Sequence, residues 1–76
     1  MRTNTTDKRL KMLLSNLGMT QKELSQKSNV SEAAISKYLN GSRIPNAQSI
    51  IQIAEATKVS PSWILGYGSD YLIEGV

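Results

Sequence analysis

Seventy-six residues make one domain with no room for a second core, near the lower limit at which packing alone holds a chain folded. The absence of Cys and His rules out a disulfide or thiolate metal site and removes the commonest metal ligand and general base, so no cofactor and no enzyme is expected. All nine Lys and Arg lie in residues 1–58 beside four acids, whereas residues 59–76 hold two acids and no base, so the net charge of +3 hides a basic body suited to a polyanion.

Residues 1–6, MRTNTT, are polar and expected to fray, with Asn4 or Thr6 as a cap for the first helix and Arg2 within reach of a phosphate. This start lacks the apolar segment of a signal peptide, and no later run nears the roughly 18 residues of a membrane span. A cytoplasmic protein without a membrane partner is the expectation. Helix 1 should run from about Asp7 to Leu17, with Asp7 against the positive end of the helix dipole and Gly18 as the stop. Leu10, Leu13, Leu14 and Leu17 share its inward face. Lys8, Arg9 and Lys11 fall on the polar side, as a solvated surface.

Thr20 followed three residues later by Glu23 is a capping box, which starts helix 2 at Thr20. Ser28-Asn29 ends it, because both residues favour turns and Asn accepts the left-handed backbone angle. Ser31 offers a second N-cap and Gly41 a stop, which bounds helix 3 at about Glu32 to Asn40. Ala34, Ile35, Tyr38 and Leu39 form the apolar stripe of that helix and predict core. Glu32, Ala33, Ser36, Lys37 and Asn40 fill the opposite stripe, where short side chains alternate with long polar ones that reach into a groove.

The stretch Ser42-Arg43-Ile44-Pro45 reads as a loop with Ile44 plugging the core. Asn46 caps helix 4, about Ala47 to Thr57, whose buried stripe is expected to be Ile50, Ile51, Ile53 and Ala54. Ser60-Pro61 starts helix 5, Pro61 to Leu65, with Gly66 closing it and Trp63 and Leu65 inside. Residues 67–76 lack caps, period and positive charge and read as a tail or the start of a linker.

The stretch from Leu10 to Gly66 resembles the helix-turn-helix of Cro and lambda-repressor type (XRE) transcriptional regulators. The likeness rests on Gln21 at the start of helix 2, apolar Leu24, Val30, Ile35 and Tyr38, a small Ser25 at the helix crossing, and the closing pair Asn40-Gly41. Four positions depart from the pattern: Asn29 stands for a usual Gly, Ser28 for an apolar residue, and Leu14 and Leu39 for an Arg and a Glu that often pair. The resemblance implies an all-α, compact five-helix domain over residues 1–66, with the helix-turn-helix at helices 2 and 3. It further implies a phage-type repressor, bacterial or phage-encoded, that binds a pseudo-palindromic double-stranded DNA operator as a homodimer. A C-terminal oligomerisation domain beyond residue 76 is a common continuation in repressors of this type.

Carried onto these residues, the family's mechanism assigns base reading to Ser31, Glu32, Ala33, Ser36 and Lys37. Lys37 can donate to guanine, Glu32 can accept from cytosine N4, and Ala33 can pack on a thymine methyl. Gln21, Asn40, Gly41, Ser42, Arg43 and Asn46 are assigned to phosphates, which position the protein without reading sequence. A competing reading keeps the shape as a protein-interaction module without DNA contact, since Glu32 places a carboxylate, and Ala33 no polar group, on the reading face. An enzyme would need converging groups of tuned pKa, and the acids here are scattered.

Overall fold

A computed structural model describes residues 6–66 as five helices: α1 Thr6–Leu17, α2 Gln21–Ser28, α3 Glu32–Leu39, α4 Ala47–Thr57 and α5 Pro61–Ile64. The expectations placed on residues 1–5 and on the tail from 67 to 76 lie outside the described residues. Helix α1 packs against α3 and α5, α2 against α3 and α4, and α4 against α5. Every helix thus lends one face to a shared core, the arrangement open to a chain whose helices are each too short to persist alone.

Core residues come from all five helices, with Leu10, Leu13, Leu24, Ile35, Ile53, Val59 and Ile64 fully enclosed. The first departure from the sequence expectation is Arg9, which is buried rather than on the solvated side of α1. At about 100° per residue it lies about 40° from Leu13, at the edge of the arc swept by Thr6, Leu10 and Leu13. Its Nη1 donates to the Trp63 carbonyl at 3.1 Å, and its guanidinium stacks 4.7 Å from the Trp63 ring centre. A cation on an aromatic face and on a carbonyl at the end of α5 keeps favourable partners after leaving water.

Ile44 is 72% exposed and does not plug the core; the neighbouring Pro45 is the buried residue of that loop. Ile51 is also exposed, because one residue beyond Ile50 turns it off the stripe of Ile50, Ile53, Ala54 and Thr57. Leu17 is exposed in the last turn of α1, and Leu65 is half-buried, its place inside being taken by Ile64. Ser60 precedes α5 in extended backbone but makes no side-chain cap bond; its Oγ faces Ser62 Oγ at 2.9 Å.

Ser28 is buried and fully used: its Oγ donates to the Leu24 carbonyl at 2.6 Å and accepts from the Val30 N–H at 3.3 Å. A hydroxyl thus replaces the apolar residue the family places there. Two non-glycine residues close helices in the left-handed region, Asn29 at φ 61° and Lys58 at φ 60°. Lys58 carries the strain of a Cβ in that region without the short polar side chain that eases it for Asn.

Lys58→Gly should therefore raise stability by about 1 kcal/mol, the relieved left-handed strain exceeding the extra entropy of glycine in the unfolded chain. Urea unfolding checks this, and an unchanged or lower midpoint contradicts it. Leu14 and Leu39 are both buried in the one core and lie on α1 and α3, which pack together. Leu14→Arg or Leu39→Glu alone should cost about 3 kcal/mol by burying a lone charge. The double variant should regain part of that loss; strictly additive losses would mean that the two side chains do not meet.

Candidate nucleic-acid interface

The site begins with two caps. Thr20 Oγ1 accepts from the Glu23 N–H at 3.1 Å while Glu23 Oε1 accepts from the Thr20 N–H at 3.0 Å, so α2 opens on a complete capping box. Gln21 is exposed in that first turn. At the other end Asn29 sits at φ 61°, ψ 25°, and its N–H reaches the Ser25 carbonyl at 2.9 Å. That residue reverses the chain in one step, and Ser31 Oγ then accepts from the Ala34 N–H at 3.1 Å to start α3. The Ser31 hydroxyl keeps its own hydrogen to donate outward.

On α3 the buried arc is Ile35, Tyr38 and Leu39. Glu32, Ala33, Ser36 and Lys37 are all exposed and fall within an arc of about 140° on the opposite side, with Asn40 in the same direction. Ser31, the cap before them, is exposed as well. The five residues expected to read bases are therefore brought to one outward face and its N-terminal edge.

The loop after α3 is tied back to that helix. The Lys37 carbonyl accepts from Ser42 N at 3.1 Å, from Arg43 N at 3.4 Å and from Ser42 Oγ at 3.4 Å. Asn40 Oδ1 accepts from Ser42 N at 2.8 Å, and Asn46 Oδ1 accepts from Ser49 N at 2.8 Å as the cap of α4. Because a backbone N–H can face only the amide oxygen, both Asn side chains direct their NH₂ groups away from these bonds. Gly41 holds φ 79°, and a Cβ there would stand 3.1 Å from Asp7 Oδ2, so the start of α1 sits against the loop. Gln21, Asn40, Gly41, Ser42, Arg43 and Asn46 are all exposed.

Two features of this region are not foreseen by the sequence. The approach of Asp7 to Gly41 links residues far apart in the chain and leaves no local pattern. The Tyr38 hydroxyl donates to Ser49 Oγ at 3.2 Å, joining α3 to α4. Its signal was present, because a buried tyrosine needs a partner for its O–H. Among the described residues no group of three or more His, Cys, Asp or Glu could hold a metal ion, and no helix is long and apolar enough to cross a membrane.

Two short helices joined at a left-handed turn, the second with its polar face free, define a helix-turn-helix protein. A helix-turn-helix family model matches residues 10–64, and the chain belongs to that family, the Cro/repressor (XRE) type. In three dimensions it is similar to the solution structure of the DNA-binding domain of the P22 c2 repressor, with 26% identity over 87% of each chain and a TM-score of 0.78. It is also similar to the P22 c2 repressor in complex with a synthetic operator, with 25% identity over 83% of this chain and 96% of that one and a TM-score of 0.76. No curated protein matches the sequence.

The Glu23 carboxyl is held below its usual value of 4.5, first by the Thr20 backbone N–H, then by the Thr20 hydroxyl, with Lys27 adding a smaller effect. A depressed carboxylate contributes stability that is fully present above its unfolded value and is lost as pH falls through its folded one. Glu23→Gln should therefore lower the unfolding midpoint at pH 7 and narrow the gap to wild type under acid conditions. Thermal melts across that range decide it, and a gap that stays constant down to about pH 2 would show the carboxylate's charge to be irrelevant.

Proposed function

We propose that this chain is a transcriptional repressor that binds a specific double-stranded DNA site, with α3 in the major groove. The observation that carries this is the exposed arc of Glu32, Ala33, Ser36 and Lys37, set opposite the buried arc of the same helix and flanked by a hydrogen-bonded loop. Support comes from the family and from two similar structures of a repressor, one of them holding operator DNA. In this reading Ser31, Glu32, Ala33, Ser36 and Lys37 address base edges. Gln21, Asn40, Gly41, Ser42, Arg43 and Asn46 address phosphates, with the Asn40 and Asn46 amides as neutral donors and Arg43 as the charged one.

One module of this size buries only about 600–1,000 Å² on DNA, too little to single out one site in a genome. The working unit is accordingly a homodimer on a pseudo-palindrome whose half-sites lie about one helical turn apart, in the cytoplasm of a bacterial cell. Residues 1–66 are the DNA-binding domain, and 67–76 connect it to an oligomerising region or assist pairing. The chemistry called for is binding alone, without catalysis.

The experiment compares two kinds of contact. Lys37→Ala should weaken the preferred site by about 1–3 kcal/mol and relax the preference at one base pair per half-site. Arg43→Ala should weaken all sequences alike and reduce the slope of log K against log salt by about one per half-site. Base preference intact at every position in Lys37→Ala would remove α3 as the reader. A wild-type affinity insensitive to salt would favour the protein-interaction module instead.

A further inference from the structure

We infer that Tyr38 is a positioning residue for sequence discrimination: its hydroxyl, through Ser49, fixes the tilt of the reading face against the phosphate-binding loop. The inference rests on the proposed DNA reading of α3. Tyr38 is 4% exposed, and its ring lies among the core side chains, a role that Phe would fill equally well. What Phe lacks is the O–H, and a hydroxyl taken out of water costs free energy unless it finds a partner. The partner here is Ser49 Oγ at 3.2 Å, across the loop on α4.

The position of Tyr38 makes that bond consequential. Its main-chain carbonyl accepts from Gly41 N at the start of the loop. Its neighbour Lys37 offers one carbonyl to Ser42 and Arg43 and its side chain to the reading face. At the far end of the loop Ser49 N donates to Asn46 Oδ1. Tyr38 thus holds the start of the loop by its backbone and the end, through Ser49, by its side chain. The phosphate contacts and the base contacts are thereby joined in one frame.

Such a link acts on specific and non-specific binding unequally. Phosphate contacts tolerate small shifts, because they are largely electrostatic and independent of sequence. Hydrogen bonds to base edges need placement within about half an ångström. Releasing the link should therefore reduce discrimination while leaving general affinity for DNA in place. At 3.2 Å the bond is long for two hydroxyls, so the effect should be modest.

The test measures the affinity of full-chain wild type, Tyr38→Phe, Ser49→Ala, Ser49→Thr and the double variant Tyr38→Phe/Ser49→Ala. Each binds a duplex chosen by selection from random DNA and an unrelated duplex, at a temperature where urea curves show every variant folded. Tyr38→Phe and Ser49→Ala should each lower the ratio of the two affinities roughly three- to tenfold. Affinity for the unrelated duplex should change less than about twofold. The double variant should be no worse than either single one, and Ser49→Thr, which keeps the hydroxyl, should retain the wild-type ratio. An unchanged ratio in Tyr38→Phe overturns the inference, as does a loss in the double variant equal to the product of the two single losses. A purely structural hydroxyl would lower the urea midpoint and leave the ratio alone. If wild type itself prefers no duplex, the DNA reading fails and carries this inference with it.

Discussion

The backbone reversal at Asn29 is the constraint on which the rest of the structure depends. One residue at φ 61° takes the chain from the end of α2 towards the extended Ser31 that caps α3, and the two helices pack against each other across it. Asparagine makes it tolerable, since its short amide accepts the left-handed region better than most residues. Ser28, immediately before it, takes up the Val30 N–H that the reversal leaves without a helical partner. With the turn fixed, Leu24, Val30 and Ile35 all point into the core, and the outward direction of α3 follows.

Everything else in the domain acts as a support for that direction. Helix α1 backs α3, and its first turn meets the loop at Gly41, where glycine suits the positive φ and a Cβ would press on Asp7 Oδ2 at 3.1 Å. On the far side Arg9 ties α1 to the end of α5 through a hydrogen bond to the Trp63 carbonyl and a stacking contact with its ring. Buried cations are costly when isolated, and this one is enclosed by an aromatic face and a carbonyl that both favour positive charge. The polar groups exposed around α3 are bound at one end and free at the other, as Ser31, Asn40 and Asn46 illustrate. Preorganised donors of this kind lose little entropy when they meet a ligand.

The order and type of all five helices were legible in the sequence because their ends are written in local chemistry. Thr20 with Glu23, Ser31 and Asn46 each bond a backbone N–H within three residues, and Pro61 presets the helical φ of its own position, so no tertiary knowledge was needed. The outward arc of α3 was legible for a similar reason, because its polar and apolar residues segregate at the helical period. The features that could not be read were set by geometry across the chain. Whether Ile44 or Pro45 enters the core depends on the direction of a loop, and composition favoured the wrong one. Arg9 looked like a surface residue until Trp63, 54 positions away, came to lie beside it. The Lys58 cap was missed because lysine carries no local preference for the backbone angle it adopts there.

At the centre stands the claim that the exposed arc of α3 reads bases in register with a second copy of itself. Selection of bound duplexes from a random pool tests it most directly, using the full chain and sequencing the survivors. The expected outcome is a two-fold symmetric consensus whose half-sites are centred about one helical turn apart, with the strongest preference in the base pairs facing Lys37 and Ser36. Survivors without any shared sequence, or a consensus without symmetry at that spacing, would contradict it.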